Sequence, residues 1–108
     1  MNPLWKINKS SEWILLSVKH EPCYGAEISR KIAEASSFQC FLTAGNLYPL
    51  LKQLEDTGFI ESYQKNEFPS KARRGRMRKY YRITAAGLAA LKELQLMRDQ
   101  LDYSCSPC

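Results

Sequence analysis

The sequence has few of the residues that enzymes use for catalysis. Its 108 residues include a single histidine, His20, which has no nucleophile partner at a motif spacing. No glycine-rich phosphate-binding loop occurs, and no cluster of acidic residues suits magnesium. We therefore expect no enzymatic activity, no metal ion and no cofactor.

Long apolar runs are also absent. No segment approaches the roughly 20 apolar residues that a membrane-spanning helix needs. The first residues, MNPLWKINKSSEW, lack the apolar stretch and the small-residue cleavage site of a secretory signal. We expect a soluble, cytoplasmic protein with no membrane partner. In that compartment the cysteines would be reduced thiols rather than disulfides. They are Cys23, Cys40, Cys105 and Cys108.

Positive charge is concentrated in one segment of the chain. The formal net charge is +5, yet residues 65–82 alone carry +7, from eight basic residues and one acid, Glu67, so the remainder nets −2. The basic residues of this segment are Lys65, Lys71, Arg73, Arg74, Arg76, Arg78, Lys79 and Arg82. A near-neutral body with one basic segment is typical of proteins that bind polyanions such as nucleic acids.

The most informative stretch is Thr43–Gly58, TAGNLYPLLKQLEDTG. Thr43 is a typical helix N-cap, whose side chain would accept a backbone hydrogen bond, and Gly58 suits the left-handed residue that ends a helix. One face of the predicted helix is an apolar stripe of Leu47, Leu50, Leu51 and Leu54. The opposite face and its flanks carry Gly45, Asn46, Tyr48, Pro49, Lys52, Gln53 and Asp56.

This polar face suits docking onto phosphates and base edges, because small, polar and aromatic groups surround a helix N-terminus. Gly45 would allow close approach of the backbone, and Pro49 removes one hydrogen-bond donor inside the helix at a cost in stability. The alternative is an ordinary surface helix with a slight proline kink. The basic segment that follows in sequence favours the nucleic-acid interpretation.

Two more helices are predicted at the ends of the domain. Ser10 or Ser11 would cap a first helix, Glu12–His20, which is apolar almost all round and so needs cover on several sides, in part from a second chain. Thr84 would cap a fourth helix that begins at Ala85 and runs to about Tyr103. Its long apolar stripe is typical of a dimerisation element.

Between the first and third helices, the pattern predicts a second helix from Tyr24 to Ala35. Its buried residues would be Ala26, Ile28, Ile32 and Ala35. The connection that follows contains Phe38, Cys40 and Phe41, which we expect to enter the core beneath the third helix.

Two strands with a basic loop between them follow the third helix. Phe59–Asn66 and Arg78–Ile83 are rich in β-forming residues, and an antiparallel hairpin would make residues 67–77, EFPSKARRGRM, its basic tip, or wing. The predicted fold is mainly α with a small β-hairpin (α+β): a winged helix-turn-helix with a long C-terminal dimerisation helix. The expected organisation is an arm (1–10), a DNA-binding domain (11–83), the dimerisation helix (84–103) and a tail (104–108).

Three segments resemble the PadR family of bacterial and archaeal transcriptional regulators, in its short form with one C-terminal helix. They are PCYGAEI (22–28), GNLYPLLKQLEDTGFI (45–60) and RGRMRKYYRITAAGLAAL (74–91), and the resemblance covers about residues 12–95. It implies a homodimer, usually a repressor, that binds an inverted-repeat operator in double-stranded DNA. The third helix would enter the major groove, and the wing would lie along the adjacent backbone or minor groove. Two-fold symmetry would place the recognition helices ~34 Å apart.

The resemblance also implies which residues contact DNA. On the third helix, Asn46 and Gln53 would read base edges, whereas Tyr48 and Lys52 would reach phosphates. The full expected set is Thr43, Gly45, Asn46, Tyr48, Lys52 and Gln53 on the helix, with Lys71, Arg73, Arg74, Arg76 and Arg78 on the wing. Tyr80 and Tyr81 alternate on a strand, so we expect one of them in the core. The expected dimer interface consists of Trp13, Leu16, Leu88, Leu91, Leu94, Met97 and Leu101.

Three alternatives stay open. Cys105 and Cys108 form C-x-x-C, a spacing used in redox and metal chemistry, so the tail would either make a thiol-responsive regulator or be functionally silent. Family members that sense small molecules are built around a pocket at the dimer interface. Trp5 and Trp13 would line such a pocket, although a dimer-core position is the favoured interpretation for Trp13, and the sequence identifies no inducer. A winged-helix module that binds a protein partner is the third alternative.

Overall fold

Helices surround one face of a small antiparallel sheet. A computed structural model describes residues 7–66 and 77–104. In these ranges the elements are α1 (Lys9–Ser17), β1 (Cys23–Tyr24), α2 (Gly25–Ala35), α3 (Ala44–Thr57), β2 (Ile60–Asn66), β3 (Met77–Ile83) and α4 (Ala85–Ser104). The predicted α+β class is confirmed.

Helix α1 begins at Lys9 rather than Glu12 and ends at Ser17 rather than His20. Its N-cap is Asn8, whose Oδ1 accepts a hydrogen bond from the N–H of Ser11 at 2.8 Å. The prediction that Ser10 or Ser11 is the cap was therefore wrong, because Asn8 supplies the same kind of acceptor earlier in the chain. The helix buries Ile14 and Leu15, but Leu16 is 46% exposed, so the chain alone does not cover it on every side.

Helix α2 lies where it was predicted, but its buried face differs. Ile28 and Ile32 are buried as expected, together with Ala33. Ala26 and Ala35, which were predicted to be buried, are exposed. Ala26 lies about 200° around the helix axis from Ile28, which places it on the far side, since each residue turns the helix by about 100°. Ala35 is the last residue of the helix.

The connection between α2 and α3 directs its aromatic side chains outward. Phe38 and Phe41 are 62% and 64% exposed, so the prediction that they enter the core was wrong, and only Cys40 packs partly against the core. Ser37 and Phe38 adopt left-handed backbone conformations, with φ of 54° and 64°. This turn lets the Phe38 N–H donate to the Ala33 carbonyl at 2.6 Å. This hydrogen bond supplies a partner for a carbonyl group at the end of α2, and the same turn directs the Phe38 side chain away from the core.

Helix α3 has the predicted apolar face and C-terminus. Leu47, Leu51 and Leu54 are buried, and Leu50 is partly buried against the same core. Gly58 has φ of 88°, the left-handed conformation that its position predicted, and its N–H donates to the Glu55 carbonyl at 3.0 Å. The core formed around α3 also includes Ile14, Leu15, Val18, Cys23, Ile28, Ile32, Phe59, Ile60, Tyr81, Ala90 and Leu91.

The sheet has the order β1-β3-β2. Strands β2 and β3 form the predicted antiparallel hairpin, in which Ile60 lies opposite Ile83. Strand β1 was not predicted, because two residues are too few to show an alternating pattern. It pairs with β3, so that Cys23 lies opposite Tyr81. Cys23, Ile60 and Tyr81 are buried against the helices, which fixes the face of the sheet that the core covers.

The first turn of α4 docks onto the turn between α3 and β2. The Thr84 hydroxyl accepts the N–H of Gly87 at 3.1 Å, which confirms Thr84 as the cap, and it donates to the Gly58 carbonyl at 2.6 Å. The Thr84 N–H donates to the Phe59 carbonyl at 3.0 Å. A Cβ atom placed on Gly87 would lie 2.2 Å from the same carbonyl oxygen. This close approach leaves no room for any side chain but that of glycine.

Helix α4 continues beyond the part of the domain that covers it. Ala90, Leu91 and Leu94 are buried, whereas every described side chain from residue 95 to residue 102 is exposed. The Arg98 guanidinium pairs with the carboxylate of Glu12, a buried acid in the first turn of α1. Among the described residues, none of the helices combines the length and apolar character needed to cross a bilayer.

We expect Gly87→Ala to destabilise the protein by about 1–3 kcal/mol, because its methyl group would overlap the backbone carbonyl of Phe59 as well as the side chain of Ile83. Thermal and urea unfolding would measure the loss. Gly45→Ala is the matched control, since the nearest atom to a Cβ there is 3.9 Å away and alanine favours a helix by about 0.5–1 kcal/mol over glycine. Equal effects of the two substitutions would contradict the proposed role of the Gly87 contact.

Candidate nucleic-acid interface

The first turn of α3 is exposed, and the side chains of residues 43–46 are not buried in the core. Thr43 is the N-cap by backbone geometry, and its carbonyl accepts the N–H groups of Asn46 and Leu47 at 3.0 and 2.8 Å. Its side chain makes no cap hydrogen bond, so that part of the prediction was wrong. Gly45 has open space above it, because the nearest atom to a Cβ placed there would be the Thr43 Oγ1, at 3.9 Å. The protein itself therefore does not require glycine at this position.

The outer face of α3 continues this exposed surface. Pro49, Lys52, Gln53, Asp56 and Thr57 line a shallow groove of about 540 Å³. Lys52 and Asp56 approach to 4.0 Å, and the side chain of Lys52 is 79% exposed, so this ion pair holds the ammonium group weakly. Lys52 and Gln53 are thus available to a ligand that lies along the helix.

Tyr48 lies on the flank of α3 that faces α2. A Cβ atom on Gly25 would come within 2.6 Å of the Tyr48 hydroxyl oxygen, so the ring rests on the first residue of α2. Half of the Tyr48 side chain stays exposed. All six predicted helix residues therefore lie on the surface of α3, although Tyr48 is directed toward α2. They are Thr43, Gly45, Asn46, Tyr48, Lys52 and Gln53.

Of the predicted wing residues, the structure describes only Arg78, at the base of the wing. Arg78 lies on β3, and its guanidinium carbon is 4.2 Å from the centroid of the Tyr24 ring, a cation–π contact. Lys65 lies opposite Arg78 in the hairpin. The other predicted wing contacts lie outside the described residues: Lys71, Arg73, Arg74 and Arg76.

A row of three tyrosines, which was not predicted from the sequence, crosses the outer face of the sheet. Tyr24, Tyr80 and Tyr63 occupy one register position on β1, β3 and β2. The Tyr24 and Tyr80 centroids are 5.5 Å apart in an edge-to-face arrangement, and the Tyr63 and Tyr80 rings stack at 5.8 Å. Tyr81 is buried, as the alternation of Tyr80 and Tyr81 predicted that one of them would be. The registers in which β1 and β2 pair with β3, which composition does not reveal, bring the row together.

The predicted dimer residues fall into two groups. Leu91 and Leu94 are already buried within the chain. Leu16, Leu88, Met97 and Leu101 are between 43% and 56% exposed, and the neighbouring Leu96 is exposed as well. Trp13 is partly buried and lies with Leu16 in a groove of about 450 Å³ between α1 and α2. The groove is lined by Trp13, Leu16, Ser17, Lys31, Ile32, Ala35 and Ser36.

Comparison with known proteins identifies similar chains over most of this one. A model of the transcriptional regulator PadR-like family matches residues 14–93. A PadR family transcription regulator from Clostridium difficile is 30% identical, with a TM-score of 0.75 over 90% of this chain and 94% of that one. A PadR-like transcription factor from Bacteroides fragilis is also 30% identical, with a TM-score of 0.73 over 87% and 84%. An uncharacterized protein of Lysinibacillus sphaericus is 35% identical over 81 residues, which are 75% of this chain and 70% of its own.

The described thiols do not form a metal-binding or disulfide arrangement. Cys105 and Cys108 lie outside the described residues, Cys23 is buried and Cys40 is partly buried. No group of three or more potential metal ligands occurs among the residues that the structure describes. The ammonium group of Lys31 lies 3.0 Å from the Cys23 sulfur and also donates to the Ser17 carbonyl and the Glu21 carboxylate.

Burial raises the pKa of the Cys23 thiol, and the hydrogen bond from Lys31 only partly opposes this effect. The pKa of Lys31 is raised by its hydrogen bond to Cys23. Cys23 is therefore a protonated, structural thiol at neutral pH and not an activated nucleophile.

We expect the free energy of unfolding to fall as the pH rises above about 8.5, the ordinary pKa of a thiol. The folded protein holds the Cys23 proton more tightly than the unfolded chain, so this contribution is complete below the unfolded pKa and is lost as the pH passes the folded pKa. Urea unfolding across the alkaline range would measure the slope. Cys23→Ala should have lower stability but a flatter pH dependence, and an unchanged slope in this variant would contradict the assignment.

Proposed function

Because this chain belongs to the PadR-like family of transcriptional regulators, we propose that it is a repressor that binds an inverted-repeat operator in double-stranded DNA as a homodimer. Members of this family regulate transcription and are not enzymes, as the sequence predicted for this chain.

The observation that best supports sequence-specific binding is the exposed amino-terminal face of α3. Thr43, Gly45 and Asn46 are exposed there, and Gly45 has open space above it. A helix end with an open backbone and short polar side chains can enter the major groove closely enough for hydrogen bonds to base edges. We assign base reading to Asn46 and Gln53, and phosphate contacts to Thr43, Lys52 and Tyr48.

The hairpin would supply the sequence-independent part of the affinity. Lys65 and Arg78 lie opposite each other on the outer face of the sheet. They are held over separate tyrosine rings, Lys65 at 5.5 Å from the Tyr80 centroid and Arg78 at 4.2 Å from that of Tyr24. These contacts offset the repulsion between two neighbouring cations. Basic groups at the base of the hairpin, with Lys71, Arg73, Arg74 and Arg76 in the segment between the strands, would displace counterions from the DNA backbone.

Helix α4 would form the dimer. Ala90 and Leu94 are buried, while Met97 and Leu101 continue the same stripe at helical spacing beyond the covered part of the helix. A second copy provides an apolar surface of matching character in the groove between α1 and α2, where Trp13 and Leu16 lie. We propose that α4 of each protomer packs into this groove of its partner. The symmetry would set the two α3 helices about one turn of DNA apart, ~34 Å.

The function is tested by footprinting on genomic fragments, beginning with the DNA upstream of the protein's own gene. The wild-type protein should protect an inverted repeat. A variant with Arg73, Arg74, Arg76 and Arg78 all changed to Gln should lose most of its affinity for every fragment. It should also show a much weaker dependence of binding on salt concentration, because the slope of log K against log salt falls by about 0.9 for each phosphate that is no longer neutralised.

The control for this variant removes four positive charges elsewhere. Lys9, Lys19, Arg30 and Lys92 are exposed and lie outside the proposed interface, so changing them together to Gln alters the net charge equally. This control should keep the salt slope of the wild type. If both variants lost the same affinity, net charge rather than the wing would explain binding. Wild-type protein that protects no fragment would favour a module that binds a protein partner.

The dimer is tested by Met97→Glu. A carboxylate in the exposed apolar stripe would have to be buried at the proposed interface, so we expect the variant to be monomeric in light scattering at concentrations where the wild type is dimeric. Gln95→Glu is the matched control, because Gln95 lies about 200° around α4 from Met97. Dimers of the Met97 variant with wild-type stability would exclude this interface.

A further inference from the structure

Two phenylalanines remain on the surface just before the proposed recognition helix. The side chains of Phe38 and Phe41 are both mostly exposed, although the burial of aromatic rings is a large favourable contribution to folding. Their ring centroids are 6.4 Å apart, a distance at which aromatic rings contact each other, so the two rings form one exposed apolar patch. Neither the core nor the DNA contacts proposed above account for this patch.

The backbone at the end of α2 is strained where it directs Phe38 outward. The Ser37 N–H donates to the Glu34 carbonyl at 3.1 Å, and the Phe38 N–H donates to the Ala33 carbonyl at 2.6 Å. These two bonds form the common left-handed ending of a helix, in which Ser37 occupies the position that glycine usually fills. Phe38 is left-handed as well, a conformation that crowds the Cβ atom of any residue except glycine. An exposed aromatic residue in a strained conformation indicates a role outside the fold.

The chain that leads from this turn to α3 alternates between the core and the surface. Cys40 and Leu42 pack partly against the core, and the Leu42 carbonyl accepts the Ser29 hydroxyl at 3.0 Å. Because successive side chains of an extended chain point to opposite sides, Phe41 and Thr43 share the outer side, where both are exposed. Thr43 is the N-cap of α3, and two extended residues span at most about 7 Å. Phe41 therefore lies beside the first turn of α3.

This position determines which part of a DNA duplex Phe41 can reach. The major groove is about 12 Å wide, so a side chain that lies beside the N-cap is within the groove when α3 enters it by its first turn. The base edges in that groove present polar nitrogen and oxygen atoms, and the apolar group among them is the C5 methyl group of thymine. A phenylalanine ring thus has a favourable contact with thymine that the other bases do not offer.

We infer that Phe41 packs against the C5 methyl group of a thymine in each operator half-site, and that Phe38 holds the Phe41 ring in position. The inference rests on the proposed function and adds a specificity-determining residue to it. In that function Asn46 and Gln53 read polar base edges, whereas Phe41 reads an apolar one. Each half-site should therefore contain a thymine next to the bases that the first turn of α3 contacts.

The first test uses the wild-type protein and the inverted repeat that it protects in footprinting. Replacing one thymine at a time by deoxyuridine removes a methyl group and leaves the hydrogen-bonding groups of the base unchanged. At one position in a half-site this change should weaken binding about fourfold, the factor that corresponds to ~0.8 kcal/mol for one buried methyl-sized group. Deoxyuridine between the half-sites is the control and should leave the affinity unchanged. Half-sites without thymine, or equal affinity for every substituted duplex, would overturn the inference.

Phe41→Ala tests whether this side chain makes the methyl contact. The variant should bind the unmodified operator about fourfold more weakly than the wild type does. It should also bind the thymine and deoxyuridine duplexes equally at the sensitive position, because the partner of the methyl group has been removed. Gln39→Ala is the matched control, since Gln39 is exposed in the same connection, and it should keep both the affinity and the discrimination. Continued discrimination by the Phe41 variant would exclude this assignment.

Phe38→Gly separates a role in binding from a role in stability. Glycine adopts a left-handed backbone without strain, so the variant should unfold at a temperature no lower than that of the wild type. It should nevertheless bind the operator more weakly, because the Phe41 ring loses its neighbour. A less stable variant with wild-type affinity would show that Phe38 serves the fold instead.

The wild-type footprint distinguishes failure of this inference from failure of the proposed function. If the wild type protects no fragment, the proposed function fails and the inference fails with it. If the wild type protects an inverted repeat that both phenylalanine variants bind equally well, only the inference fails, and the aromatic patch would then suit a protein partner.

Discussion

The close packing of Gly87 against the Phe59 carbonyl couples the position of α4 to that of α3. Phe59 directly follows Gly58, the C-cap of α3, and its carbonyl also accepts the Thr84 N–H, while the Thr84 hydroxyl donates to the Gly58 carbonyl. The first turn of α4 is thereby tied to the end of α3 through backbone atoms, which do not move as a flexible side chain would. The direction of the proposed dimer helix is therefore coupled to that of the proposed recognition helix, and this relation would set the spacing of two recognition helices in a dimer.

Exposed polar and basic groups of the described surface lie along α3 and β3. Large exposed apolar side chains include Phe38, Phe41 and Met77, and α1 and α4 together expose Leu16, Leu88, Leu96, Met97 and Leu101. The ion pair of Glu12 and Arg98 connects these two apolar elements. Because Glu12 is buried, its charge requires this partner, and removal of Arg98 would leave the carboxylate uncompensated. The pair thus fixes where α4 passes over the beginning of α1.

Local sequence signals predicted most of the fold because each has a local physical cause. The apolar stripe of Leu47, Leu51 and Leu54, the left-handed Gly58 and the Thr84 cap all depend on residues within a few positions of one another. The failures have non-local or competing causes. Strand β1 exists only because β3 offers it a partner, and α1 begins early because Asn8 competes successfully with Ser10 and Ser11 as a cap. Phe38 and Phe41 look like core residues by composition, but the left-handed turn at the end of α2 directs them outward.

Periodicity, charge and short motifs were sufficient to predict the class of fold, the position of the polar helix, the basic hairpin and the family. Which surfaces those residues share became evident only from the packed molecule. The pairing of β1 and β2 with β3 aligned Tyr24, Tyr63 and Tyr80 and placed Arg78 on the Tyr24 ring. The approach of α2 to α3 made Gly25 the support of Tyr48. Such arrangements depend on residues that are far apart in the chain, and their positions become defined only when the core packs.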